Sequence, residues 1–372
     1  MINSLRQFGS FLLGLFFCTL ALAASPQQEK HISAGIIHSL YVDSNGQLWV
    51  WGRSRLSLGQ DERIPRPVSE KVRSVFSAPG NSTSFFIRED GFLWGWGDSS
   101  YGQLGIIQKR NSKTDRYIRQ PRKIMDQVTQ VSGDETIFAL KPDGTLWVWG
   151  SSDIQRGDTD DSDWVRPRKV MDNVDEVSSA RYHTVIRKKD GSLWAWGDNQ
   201  CGALGTGDTE ESVKPVRVDM KPLDNRKVVQ IATRWGETYL LANDGSVWYS
   251  GEYNIRQADC LDPPRLVPTR LETIDNVGAI ALGQFHELYL KKDGSVWASG
   301  YAEGAASNLW TVSQGPGKVM EGVAEIAAGQ FHSIALKKDG TVWTWGVNEY
   351  GQLGDGTNKS STIPVQVQFP KP

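Results

Sequence analysis

From His31 onward, short apolar runs alternate with polar residues, and they recur around one unit. In Asp339-Gly340-Thr341-Val342-Trp343-Thr344-Trp345-Gly346, an Asp-Gly pair leads into a run with tryptophans two residues apart. Related stretches begin at Asn45, Asp90, Asp143, Asp190, Asp244 and Asp293, making seven copies. An Asp-Gly or Asn-Gly pair between alternating runs predicts a tight hairpin, because the turn needs positive φ values that Gly and Asn accept. Tryptophans at i and i+2 share one face of a strand, which places the rings between neighbouring sheets. A spacing of roughly forty to fifty residues filled with short strands predicts propeller blades.

Aligned on the hairpin glycine, the copies share two further elements. Upstream, a strand of small residues meets a Gly-x-x-His turn, as in Gly329-Gln330-Phe331-His332, Gly283-Gln284-Phe285-His286 and Gly35-Ile36-Ile37-His38, with Ala180-Arg181-Tyr182-His183 as a decayed form. The other copies carry Thr83, Thr136 and Glu237 at the His position. Downstream lies a loop of the type Asn348-Glu349-Tyr350-Gly351-Gln352-Leu353-Gly354, then a proline-containing run such as Lys214-Pro215-Val216. Proline cannot donate to a ladder, so this run belongs at a sheet edge. Four strands per repeat follow, and the expected fold is all-β: a seven-bladed propeller of four-stranded antiparallel blades over residues 31–372. The last proline run, from Thr362 to Val367, is expected to pair with the N-terminal blade and so close the ring.

The 38 glycines and 15 tryptophans suit short strands and tight turns. A net charge of −2 gives no electrostatic footprint for nucleic acid. Residues 1–23 join a basic start at Arg6 to an apolar run and Ala21-Leu22-Ala23, which predicts a cleaved secretory signal followed by a polar tail at 24–30. The expected location is secreted or periplasmic, with no membrane span after cleavage. Cys18 leaves with the signal, and Cys201 and Cys260 remain in a compartment that permits a disulfide; whether they pair stays open at this point.

The Gly-x-x-His-Ser, Asp-Gly-x-x-Trp-x-Trp-Gly and Asn-x-x-Gly-Gln-Leu-Gly elements, in that order, resemble the regulator of chromosome condensation repeat family. The resemblance covers nearly all of the chain after the signal. It implies a seven-bladed propeller. The family includes exchange factors for the small GTPase Ran and a secreted bacterial branch similar to the propeller-type β-lactamase inhibitory protein, which the signal favours here. Propeller motifs specify fold more than task.

Strand direction puts the Gly-x-x-His turns and the Asn-x-x-Gly loops on one rim, opposite the Asp-Gly hairpins. The residues just before the His position then form a ring that includes Ile37, Glu135, Arg181, Tyr182, Trp235, Phe285 and Phe331. Aromatics among polar groups on a rigid scaffold suit the docking of another protein. The expected function is therefore a non-catalytic, monomeric protein-binding propeller, an inhibitor being one form of it. A guanine-nucleotide exchange factor and an enzyme acting on a polymer are the alternatives. No catalytic motif and no cofactor site is legible. His38, His183, His286 and His332 recur at one position and read as structural, each imidazole bonding the backbone of a neighbouring turn. So do the core pairs Trp49 and Trp51, Trp94 and Trp96, Trp147 and Trp149, Trp194 and Trp196, and Trp343 and Trp345. Ser250 and Ser299 replace the second tryptophan in two copies, which predicts looser packing there. Asp158, Asp160 and Asp163 alternate as in a calcium loop but lack its Gly and terminal Glu, so a solvated loop is the first reading. The basic segment around Tyr117 reads as exposed charge.

Overall fold

The computed structural model describes residues 29–56, 62–78, 80, 82–105, 117–150, 165–254, 259–260, 264–300 and 316–370. The signal at 1–23, the loop with Asp158, Asp160 and Asp163, and Lys109, Arg110, Lys113 and Arg116 of the basic segment lie outside the described residues. Among the described residues, no helix is long and apolar enough to cross a membrane.

Seven four-stranded sheets form the blades, each made of strands consecutive in the chain except the fifth, where the short hairpin Tyr253–Asn254 and Asp259–Cys260 precedes the outer strand. In the first blade the inner strand Ile32–Ala34 pairs with His38–Val42, then come Leu48–Gly52 and the proline strand Glu62–Ser69, all antiparallel. The helical content among the described residues is one 3-10 turn, Lys221–Leu223. Buried apolar side chains fall into seven clusters, and each lies between two adjacent blades. The core is thus a ring of seams rather than one centre. Flat sheets with two apolar faces can bury both only by stacking on a neighbour at either side.

The expected closure by strand exchange is not what forms. Ser361–Gln366 pairs with Val342–Gly346 of its own blade, and the first blade has its own outer strand, Glu62–Ser69. The chain is phased so that each repeat supplies one whole sheet, leaving no strand to exchange. The ring closes instead by packing and side-chain bonds. Ile32, Ala34 and Trp51 of the first blade pack with Ile334, Val342 and Val367 of the last. The Trp51 indole donates to the carbonyl of Gln352 at 2.8 Å, and the amides of His31 and Ile32 donate to Glu325. Past the last strand, the Phe369 ring lies 5.5 Å from the rings of both Tyr41 and Trp49 in the first blade. The tail fastens the ring as a wedge of aromatic surface.

The tryptophan pairs divide their work. The second ring is core, with Trp51, Trp96 and Trp149 fully buried. Contrary to the expectation of a core pair, the first ring is half-buried at the hairpin end of its strand, where blades open to solvent. There the indoles of Trp147, Trp194 and Trp343 donate to Thr145, Ser192 and Thr341 of their own turns, at 3.0 to 3.1 Å. A lysine ammonium lies over each of these rings, as with Lys188 over Trp194 at 4.6 Å.

Closure by aromatic packing makes the tail measurable. Phe369→Ala is expected to lower stability by about 1–3 kcal/mol, from lost apolar burial and ring contacts. Urea unfolding followed by tryptophan fluorescence checks it. A similar truncation on the outer strand's exposed Ile363 is expected to change little.

Candidate functional site

The rim turns are built by the seams beneath them. His38 Nε2 meets Ser84 Oγ of the next blade at 2.6 Å, His183 meets Thr238 at 2.9 Å, His286 meets Ser333 at 2.8 Å, and His332 meets Ser39 of the first blade at 2.8 Å. The partner is a side-chain hydroxyl rather than the expected backbone group. Ser39 and Thr238 spend their one proton on the carbonyls of Gln352 and Ala203, so their oxygens accept from the imidazoles. That fixes His332 and His183 as Nε2–H tautomers. Burial pushes the imidazoles of His38, His183 and His286 down to about 4, and that of His332 to about 3. They are neutral structural links.

The turn glycine is required by the next blade. A Cβ on Gly283 would lie 2.5 Å from the carbonyl oxygen of Gly329, and one on Gly329 would lie 2.3 Å from that of Gly35. This close approach lets Gln284 N–H donate to Gly329 and Gln330 N–H donate to Gly35, stitching three consecutive turns together. Over these three blades the rim is a connected backbone surface.

On it the rings predicted from sequence meet. Tyr182 and Trp235 are edge to face at 6.4 Å, Trp235 and Phe285 likewise at 6.2 Å, and Phe285 stacks on Phe331 at 5.1 Å. Tyr182 is 45% exposed, and the other three rings are half-buried. The separations lie in the range of favourable aromatic pairs, so each ring is held before any partner arrives. At the near end Arg181 pairs with Glu135 of the preceding blade at 2.9 Å and lies beside Tyr182. Four consecutive blades thus carry one aromatic arc, bounded by an ion pair. Ile37 occupies the equivalent turn of the first blade, half-buried, and no ring contact joins it to the arc.

One seam departs from the rest. Between the fifth and sixth blades, Arg234 stands at the turn-glycine position, Glu237 at the histidine position and Glu287 at the hydroxyl position. Arg234 pairs with Glu237 at 2.6 Å and also with Glu287, which accepts from Ser299. Burial alone would lower the guanidinium's pKa, but Glu237 and Glu287 outweigh it and hold the group well above its ordinary value. In the preceding seam, between the fourth and fifth blades, Ser250 bonds the carbonyl of Ala203 at 3.3 Å, replacing the indole donor of other blades. Beside Ser299, where looser packing was expected, stands a buried ionic bridge at the turn that carries Trp235. Sequence reading noted Glu237 but missed Arg234 and Glu287. Their signal was available: three unlike residues at three aligned positions that meet across one seam.

Cys201 and Cys260 form a disulfide with a Cα–Cα distance of 5.2 Å, which settles the open question. It joins the upper loop of the fourth blade to the short hairpin Tyr253–Asn254 and Asp259–Cys260 of the fifth. The outer strand of that blade is only Thr269–Arg270. Among the described residues, no group of three His, Cys, Asp or Glu side chains is placed to hold a metal ion.

A family model described as "RCC1-like domain" matches residues 18–306, and models of the regulator of chromosome condensation (RCC1) repeat match 323–352 and 339–372. The ultraviolet-B receptor UVR8 of Arabidopsis thaliana is 27% identical over 374 residues, covering 94% of this chain and 72% of the receptor. The E3 ubiquitin-protein ligase HERC2 of Homo sapiens is 28% identical over 217 residues, or 54% of this chain; the match spans only 4% of HERC2. Yeast RCC1 (Prp20), in its crystal structure with Kap60, superposes with a TM-score of 0.71 at 21% identity, covering 94% of this chain and 90% of that one. That likeness bears on fold alone.

The seams generate two expectations. The unfolded chain takes up imidazole protons near pH 6.5 and the folded chain only near 4, so unfolding binds protons between those values. Stability is therefore expected to fall as pH drops from about 6.5 to about 4, each buried histidine adding a slope of about 1.4 kcal/mol per pH unit. Urea midpoints across that range check it, and His183→Gln should reduce the slope by one proton. Arg234→Met should cost about 3–5 kcal/mol by stranding two buried carboxylates. The triple change Arg234→Gly, Glu237→His, Glu287→Ser, which restores the common seam, should recover most of that loss in the same assay.

Proposed function

The chain belongs to the family of RCC1-like domains, and on that premise we propose that it is a non-catalytic propeller that docks another protein on its Gly-x-x-His rim. The single observation that carries this reading is the arc Tyr182, Trp235, Phe285 and Phe331, continuous by ring contact across four blades. Buried aromatic anchors ringed by polar groups dominate the energetics of protein interfaces. Preorganised rings lose little conformational freedom on binding, so more of their contact area appears as affinity. The bridge of Arg234 with Glu237 and Glu287 supports the reading because it braces the turn that presents Trp235. The Glu135 and Arg181 pair would set register at the arc's edge more than affinity.

We further propose that docking takes place outside the cytoplasm. The apolar run after Arg6, ending at Ala21-Leu22-Ala23, supports secretion, and the pairing of Cys201 with Cys260 accords with an oxidising compartment. Blocking a partner's own site, as an inhibitor does, is one use of such a rim.

The test is comparative capture from the periplasmic and extracellular fractions of the source cells, using the intact mature chain and a rim variant. Trp235→Ala, Phe285→Ala and Phe331→Ala are each expected to weaken binding of the captured protein at least about tenfold by calorimetry. Lys338→Ala on the hairpin face should leave it unchanged. A partner equally affected by both faces, or indifferent to the three rings, contradicts the assignment.

A further inference from the structure

A cavity of about 910 Å³ runs along the axis between the inner strands. Its size lies within the range of small-molecule sites, roughly 300–1,000 Å³. The wall is two-sided. Blades one to five present Ser33, Ser74, Gln130, Ser178, Gln230 and Thr233, whereas blades six and seven present Gly278, Ala279, Ala281, Ala324, Ala327 and Ala328. Much of the polar side is already engaged. Gln130 bonds the backbone of Val177 and Gln230 that of Ile280, with both amide ends used, and Ser178 and Thr233 bond each other. The alanine side has no such commitments. Val229 joins it at the hairpin-side mouth, 48% exposed, where a lone valine would otherwise face water.

Charge at that mouth is unequal. Glu29 pairs with Arg73, Asp175 and Glu176 both pair with Arg187, Glu325 holds His31, and Asp190 accepts from Ser192. Arg226 is committed to Asp244, and Lys189 Nζ bonds the carbonyl of Asp143. Lys30 and Lys227 line the same opening; among the described residues neither is in salt-bridge contact with a carboxylate, although the Lys30 charge acts on Glu176. Lys30, Arg187, Lys188, Lys189, Arg226 and Lys227 in the lining outnumber Glu29, Asp175, Glu176, Asp190 and Glu325 by one, so the opening carries a small positive excess next to an apolar wall.

We propose that the axial channel binds an amphipathic organic anion, a monocarboxylate with an aliphatic body, entering from the hairpin face. The hydrocarbon lies along Ala324, Ala327 and Val229, and the carboxylate is held at the mouth by Lys30 and Lys227. The site lies on the face opposite the aromatic arc, and its assignment does not depend on the docking reading.

Decanoate is the probe, titrated below its micelle concentration into the full mature chain by calorimetry, with decanol as the neutral analogue. Saturable uptake of one decanoate per chain is expected, with decanol at least about tenfold weaker. Val229→Trp and Ala324→Phe, both at exposed positions, should each abolish uptake by narrowing the channel while the circular-dichroism melt stays that of the parent. Lys30→Glu with Lys227→Glu should weaken decanoate about tenfold or more and leave decanol unaffected. Absence of saturable uptake, uptake unchanged by either narrowing variant, or equal affinity for decanol overturns the proposal.

Discussion

Everything in this molecule rests on how one blade is bonded to the next. A histidine of one blade donates to a hydroxyl of the following blade, and that hydroxyl donates back to a carbonyl in the first blade's upper loop, as in His332, Ser39 and Gln352. Buried tryptophans add a second bond of the same sense, Trp51 to Gln352 and Trp149 to Gln103. These buried groups find their partners across the seam rather than within their own sheets, so a blade removed from the ring would expose unsatisfied donors as well as apolar surface. That makes the ring cooperative without any strand shared between its ends.

The same bonds determine what the rim can do. A turn whose glycine sits 2.3 Å, by a hypothetical Cβ, from the next turn's carbonyl cannot move independently of it. The side chains between glycine and histidine of the sixth and seventh blades are thereby projected at a fixed separation, which is why Phe285 and Phe331 stack. Where the seam chemistry changes to Arg234, Glu237 and Glu287, the projection is preserved and Trp235 remains in line with Tyr182 and Phe285. Neutral relay and buried ion bridge are two solutions to one geometric demand.

Repeat number, strand count and the common rim were legible in the sequence, because each depends on local signals: Asp-Gly turns, alternating runs and tryptophans two residues apart. So was the ring of candidate residues, since strand direction alone decides which turns share a side. The closure was misjudged for a physical reason. A terminal proline strand looks unpaired in sequence, and only the pairing of Ser361–Gln366 with Val342–Gly346 shows that the repeat boundary coincides with the blade boundary. The half-buried first tryptophans were also hidden, since i and i+2 share a face but not a depth. Contacts of long sequence separation, such as Cys201 with Cys260 or Phe369 with Tyr41, carry no local pattern at all.

The relay itself is best tested by nitrogen-15 NMR of the five imidazoles as pH is lowered from neutrality. His31, held by Glu325 at the surface, should titrate above its ordinary value, while His38, His183, His286 and His332 stay neutral until about pH 4, with His183 and His332 protonated at Nε2. Titration of those four near pH 6.5, or protonation of His183 and His332 at Nδ1, would contradict the seam and the rim that stands on it.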